Sequence, residues 1–288
     1  MANPRILKQV DPDYSYLFSI CTIVNNQDEY YEMVQSFEKC GFVDDCEYLI
    51  VDNSHTNAFD AYKAIAGFFK QALGRYLIIV HQDVRCLDTK VELIKCLQDL
   101  TTKDPKWALC GNAGGNGYHA KVFHINNDGI IMLNEDLPAK VNSLDENLLI
   151  INRATNLTIS GDLTGFHLYG TDLCIIADIL GYTSYVIPFM VNHLSEGNLE
   201  ALKEHIPDFL YAYGKKLRSR YVETTCTRFY LSNTEFKNKV YNNVRVVFNI
   251  VKAVERFKWI IRIVKEGKKH KKIKVDRLSS RKGYQLFL

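Results

Sequence analysis

The chain opens with apolar blocks separated by amphipathic ones. Tyr16–Val24 is a strand-like apolar run, and Asp28–Lys39 follows it with helical spacing, acidic residues in its first turn and Gly41 just past its end. Cys46–Val51, Ala58–Leu73, Tyr76–Val80 and Lys90–Leu100 continue as strand, helix, strand and helix. Repeated strand–helix units predict parallel pairing through right-handed crossovers, so this part of the chain reads as the core of an α/β sheet.

Beyond Pro105 the pattern shortens. Trp107–Cys110, Lys121–Ile125, Ile130–Leu133 and Leu148–Asn152 are short strand-like runs, and Asn126-Asn127-Asp128-Gly129 between two of them is a hairpin signal. Helical spacing returns after Thr171, and Ser184–Pro188 leads on to His193. Leu199–Leu217 reads as a helix interrupted at Pro207, and Glu235–Lys265 as a longer one. On the latter, Val247, Ile250, Val251, Val254, Phe257, Ile261 and Val264 form one apolar stripe. The expected division is a first domain over residues 1–217 and a helical extension over 218–288.

Charge sharpens that division. Of the 288 residues, those from Lys252 onward hold 13 Lys+Arg and 3 Asp+Glu, a formal +10, while residues 1–251 carry 23 and 30, or −7. A basic amphipathic helix followed by Lys268-Lys269-His270-Lys271-Lys272 suits an anionic membrane surface; a solvated tail is the competing reading. The acidic body argues against nucleic acid as a partner. Eight cysteines without a CxxC pair point to a reducing, cytoplasmic setting. Neither a signal-peptide core nor a membrane-spanning run is expected, which leaves a peripheral place on the inner face of the membrane as the way to meet lipid.

Candidate chemistry gathers at strand ends. His81-Gln82-Asp83-Val84 directly follows Tyr76–Val80, and Asp52 closes the run from Cys46. Carboxylates at the carboxyl ends of buried strands lie where open α/β sheets bind ligands, and suit a nucleotide held with a divalent cation. Mg²⁺ and Mn²⁺ take carboxylate oxygens, and Mn²⁺ accepts imidazole as well. Asp83 as a loop cap and His81 as a satisfied strand-end histidine are the plainer alternative. A second constellation, Gly165-Phe166-His167-Leu168-Tyr169-Gly170-Thr171-Asp172, precedes His193-Leu194-Ser195-Glu196-Gly197. Asp172 opens a helix, where the dipole alone favours a carboxylate. Gly111–Gly117 permits close backbone approach to a sugar or tight turns, and matches neither the dinucleotide fingerprint nor the P-loop.

The order of these motifs resembles that of bacterial glycosyltransferase-like proteins allied to glycosyltransferase family 2. The resemblance covers roughly residues 16–215. It runs through the strand ending in HQDV, the glycine-rich segment after Trp107, Asp145-Glu146-Asn147-Leu148-Leu149-Ile150, the segment GFHLYGTDLC and HLSEG. It implies a GT-A fold with a mostly parallel central sheet and flanking helices. The implied enzyme is a metal-dependent, inverting hexosyltransferase that moves sugar from a UDP-sugar to a saccharide or lipid-linked acceptor in bacterial surface polysaccharide synthesis. Under it, Asp83 binds Mn²⁺ or Mg²⁺ at the donor diphosphate, His193 is a later metal ligand, and Asp172 is the general base. Val24, Asp52, His81, Gln82, Asp83, Gly114 and Gly115 contact the donor.

Asp172 at a helix start stays ionised, and a carboxylate within about 2.6–3.2 Å of a sugar hydroxyl can take its proton as the new bond forms. Three rival readings stand beside this one. The chain could be a noncatalytic nucleotide-sugar or membrane-binding subunit of the same fold, a retaining transferase, or a dinucleotide-dependent oxidoreductase.

Overall fold

A computed structural model describes residues 13–117, 121–134, 136–195, 197–223 and 227–243, with isolated positions beyond. The chain divides into two units, Met1–Leu210 and Tyr211–Leu288.

The first unit begins with the expected alternation of β1 (Tyr16–Val24), α1 (Gln27–Lys39), β2 (Cys46–Asp52), α2 (Ala61–Gln71) and β3 (Gly74–Val80). A short β4 (Val84–Cys86) then leads to α3 (Lys90–Lys103) and β5 (Trp107–Gly111). Local chemistry sets the helix starts. Asn26 caps α1 by accepting from the N–H groups of Asp28 and Glu29, Asp60 caps α2 through Lys63 N, and Thr89 with Glu92 closes a capping box on α3. The α2 helix therefore starts at Ala61, later than Ala58, because Asp60 supplies the cap.

The remainder of the unit is mostly short strands: β6 (Ala113–Gly115), β7 (Lys121–Asn127), β8 (Ile130–Leu133), β9 (Ala139–Val141), β10 (Ser143–Leu144) and β11 (Leu148–Asn152). Then come α4 (Tyr169–Ile179), β12 (Thr183–Val186), β13 (Val191–His193) and α5 (Leu199–Lys216), within which the division between the units falls. Pro207 lies inside α5 without ending it.

The central sheet has the order β2-β1-β3-β11-β5-β12-β9. Pairings β1–β2, β1–β3 and β5–β12 are parallel, while β11 runs antiparallel to both β3 and β5, and β9 antiparallel to β12. Thus β2, β1, β3, β5 and β12 share one direction, and β11 and β9 oppose it. A second sheet has the order β10-β6-β7-β13-β4, with β8 on β7. Phe18, Ile20, Phe37, Phe42, Ile78 and Trp107 are among the fully buried side chains that join the central sheet to α1 and α3. Continuous apolar runs in β3, β5 and β11 are the pattern of strands covered on both faces.

The second unit contains the antiparallel hairpin of β14 (Arg220–Glu223) and β15 (Arg228–Leu231), followed by α6 (Glu235–Asn243). Asn238 and Asn242, one turn apart on α6, clasp the β15 segment. Asn242 accepts from Tyr230 N at 2.6 Å and donates to Tyr230 O at 2.9 Å, while Asn238 does the same for Ser232 at 2.7 and 3.0 Å. The stripe expected on Glu235–Lys265 beyond Asn243 and the basic cluster Lys268–Lys272 lie outside the described residues, apart from isolated positions. No helix among the described residues is long and apolar enough to cross a membrane.

Candidate functional site

At the carboxyl ends of β1 and β3 lies a cavity of about 440 Å³, within the range of small-molecule sites. Ile23 and Asn25 line it from β1, Asn53 from the end of β2, and Ile79, Val80, His81, Gln82 and Asp83 from β3 and its loop. Phe166, His167 and Tyr169 close it at the entry to α4, and Ala201 and His205 from α5.

His81, Asp83 and His193 meet at its edge, each offering one ligand atom, all within 4.8 Å of one another. His81 Nδ1 is 3.9 Å from Asp83 Oδ1, and His193 Nε2 is 3.6 Å from Asp83 Oδ2. The fold makes this meeting possible because β13 pairs antiparallel with β4, setting His193 opposite Val84, the residue after Asp83. Leu194 N also donates to Asp83 O at 3.2 Å.

The donor set fits a divalent cation on two structural grounds. Asp83 Oδ1 is buried with no hydrogen-bond partner, a costly state for a carboxylate oxygen unless a cation faces it. The Tyr169 hydroxyl donates to Glu146 O at 3.2 Å, so its oxygen, 2.8 Å from His81 Nε2, is left to accept the Nε2 proton. That tautomer turns the Nδ1 lone pair towards Asp83, as an outer hydrogen bond commonly does for a metal-ligating histidine. Burial lowers the His81 pKa to about 4 against the pull of Asp83, with His193 and His167 adding to the fall, so the ring is neutral at pH 7. Two imidazoles and a carboxylate favour Mn²⁺ over Mg²⁺, which prefers oxygen ligands alone.

The other expected site residues are placed differently. Gln82 lines the cavity and stitches its floor: Oε1 accepts from Asn25 N and Asn26 N at 2.9 and 3.1 Å, while Nε2 donates to Asn25 Oδ1 and Glu29 Oε2 at 2.5 and 2.9 Å. Val24 is fully buried beside that floor. Asp52 is exposed and caps its own turn by accepting from Ser54 N at 2.8 Å; the Ser54 side chain, and then that backbone bond, lower its pKa. Gly114 and Gly115 are not among the cavity residues. They pair in β6 between β10 and β7, where a Cβ on Gly114 would lie 2.3 Å from Ser143 O, so close strand packing accounts for Gly114.

Asp172 lies apart from the cavity. It sits in the first turn of α4 but is fully buried and does not line the cavity. Its carboxylate accepts from Ser160 N at 2.9 Å and Ser160 Oγ at 2.5 Å, holding the segment before α4. A carboxylate engaged in this way is not presented to a sugar hydroxyl.

The segment ahead of Asp172 faces the cavity instead. Leu168 adopts φ +67, a left-handed conformation unusual for a branched side chain, and α4 begins there without a side-chain cap. The backbone N–H groups of Gly170, Leu168 and Tyr169 act on the Glu146 carboxylate to lower its pKa. Burial nevertheless pushes the Glu146 pKa up to about 8, with Asp145 adding to it. His205 escapes sequence reasoning because no spacing announces it, and Tyr169 and Glu146 stand in the quoted motifs with no role that spacing assigns to them. His167 stands in a motif already singled out, yet only the turn at Leu168 directs it.

No family model matches the chain. A relative from Fuscovulum blasticum, described as ATP synthase subunits region ORF 6, is 33% identical over 210 residues, covering 68% of this chain and 84% of the relative. Among solved structures, a mannosyltransferase from Pyrobaculum calidifontis in complex with GDP-Man and Mn²⁺ is similar at a TM-score of 0.47 and 12% identity, over 71% of this chain and 66% of that one. TarS from S. aureus in complex with UDP-GlcNAc is similar at 0.44 and 14%, over 67% and 66%. Likenesses of this order carry no conclusion about the activity of this chain.

Proposed function

We propose that this chain, which belongs to the family of the Fuscovulum blasticum protein described as ATP synthase subunits region ORF 6, transfers a sugar from a nucleotide-sugar donor. The observation that carries the reading is the meeting of His81, Asp83 and His193, with an unpartnered Asp83 oxygen, beside a cavity at the strand ends. A divalent cation held there supplies positive charge against the diphosphate of a leaving nucleotide. The residues of the chain do the rest. Asn25 offers an amide for a nucleoside, Gln82 and Asn53 spend theirs holding the pocket floor and the loop to Phe59, and the apolar Ile23, Ile79 and Phe166 exclude water around the ligand. In this reading the donor is a UDP-sugar and the cation Mn²⁺. Direct displacement opposite the diphosphate inverts the anomeric centre. The acceptor is a saccharide or a lipid-linked saccharide, met at an anionic membrane surface through the basic C-terminal region, in the assembly of surface polysaccharide.

The same donor set also suits Fe(II) in non-haem oxygenases, and the test separates the two. Isothermal titration of the full-length protein with UDP and GDP is expected to show binding that requires Mn²⁺ and is lost in Asp83→Ala. Equal affinity for UDP with Mn²⁺ and with EDTA would overturn the cation's part. Absence of binding for both nucleotides would overturn the reading as a whole.

A further inference from the structure

We infer that His167 is the general base of this site, positioned by Glu146, in the place where the sequence pointed to Asp172. The inference rests on the nucleotide-sugar reading and names the group that takes the proton in it. His167 lines the same cavity as His81 and Asp83. Its Nδ1 is 4.0 Å from Glu146 Oε2, with both side chains about four-fifths buried. The His205 ring packs against it edge-on, with centroids 5.6 Å apart, and the Tyr62 hydroxyl donates to its carbonyl at 3.1 Å.

His205 is itself seated. Its Nδ1 lies 2.7 Å from Ala201 O, and its ring occupies the space where a Cβ on Gly165 would stand. The left-handed turn at Leu168 is a strained conformation between His167 and Tyr169, two residues directed at the cavity. Such strain is characteristic of functional sites. A base oriented by a third group, with a contact that tightens when substrate binds, is the general pattern of an activated nucleophile.

The step balances without a further reactant. The acceptor oxygen forms a bond to the anomeric carbon as the bond from that carbon to the phosphate oxygen breaks. The electron pair leaves with the nucleoside diphosphate, and the hydroxyl proton goes to His167 Nε2. Ionised Glu146, with Oε2 4.0 Å from Nδ1, favours the tautomer that keeps its proton on Nδ1 and so leaves Nε2 free to receive the hydroxyl proton. Burial, and then His205, lower the pKa of His167, which keeps the ring neutral and able to accept. The titratable groups facing the pair are Asp145 beside Glu146, Tyr62 on α2, His205 on α5, and Tyr169 and His81 further along the wall.

The test uses the full-length protein with Mn²⁺ and a panel of UDP- and GDP-hexoses, scoring nucleoside diphosphate released, alongside calorimetric UDP–Mn²⁺ binding. His167→Gln and His167→Ala are expected to lower kcat about 10²- to 10⁴-fold with UDP–Mn²⁺ affinity unchanged, and added imidazole should restore turnover to His167→Ala. In the wild-type chain kcat should rise with pH through about 8, as Glu146 ionises. In Glu146→Gln that limb should move to the acid side. Full turnover in His167→Gln, a loss matched by loss of UDP–Mn²⁺ binding, or UDP–Mn²⁺ binding with no turnover by the wild-type chain would overturn the inference. Absence of UDP–Mn²⁺ and GDP–Mn²⁺ binding in the wild-type chain marks failure of the nucleotide-sugar reading itself.

Discussion

Tyr169 and Asp172 sit one turn apart on α4, and the structure gives them opposite roles. The Tyr169 oxygen fixes the His81 tautomer while its proton is spent on Glu146 O. Tyr169→Phe keeps the packing of a buried ring and frees His81 to rotate or to turn its Nδ1 proton towards Asp83. Outer hydrogen bonds of this kind contribute about 10- to 100-fold in metal affinity, so Mn²⁺ titration of Tyr169→Phe should show a loss of that size with little change in melting temperature. Asp172 should behave in the reverse manner. Asp172→Asn replaces one acceptor oxygen by an amide donor beside Ser160 and removes the charge from both bonds, worth about 1.5–3 kcal/mol each for a charged partner. Urea denaturation should show a loss of roughly that size, with UDP–Mn²⁺ affinity retained by the folded protein; unchanged stability would contradict the structural role given to Asp172. Sequence alone could not divide these roles, because a carboxylate in the first turn of a helix looks the same whether it faces a cavity or a buried loop.

At the scale of elements, legibility followed length and periodicity. The β1–β2–β3 core was readable because continuous apolar runs alternate with amphipathic helices carrying Asn26, Asp60 and Thr89 as caps. The insertion of β11 between β3 and β5 was not, since Leu148–Asn152 reads as a buried strand with either direction and any neighbour. The strands β4, β6, β9 and β10 are too short to show a period. The sequence suggests an interruption at Pro207, whereas α5 carries it within its length and tolerates the missing N–H there.

Glycines show the same limit, because composition does not tell a packing glycine from a spare one. Gly114→Ala would drive a Cβ to 2.3 Å from Ser143 O, backbone against backbone between β6 and β10. Gly67, inside α2, has nothing within 4 Å of the corresponding position. Gly67→Ala should therefore raise stability by about 0.8–1 kcal/mol through helix propensity, while Gly114→Ala should lower it by about 1–3 kcal/mol. Paired denaturation curves of the two variants check both signs.

Over the first unit as a whole, the candidate site joins segments that folding must bring together. His81 and Asp83 come from the loop after β3, while His193 arrives on β13, which reaches them by pairing with β4 and β7. The pair Asp83 and His193 was legible through the motif order; their distance was not, since it depends on that non-local pairing. A cation bridging these segments binds the native arrangement and not an unfolded chain, so its affinity adds to stability by mass action. At a free Mn²⁺ concentration a hundred times the dissociation constant the gain is about 2.7 kcal/mol. For a domain of this size that corresponds to roughly 5–10 °C in melting temperature. The upward shift should saturate with Mn²⁺, be reversed by EDTA, exceed that given by Mg²⁺, and vanish in Asp83→Ala and His193→Ala alike, because the first removes the one carboxylate and leaves two neutral imidazoles, and the second leaves the ion held from one segment only. A shift that survives in both variants would place the stabilising ion elsewhere and remove the structural basis for holding a donor diphosphate at these residues.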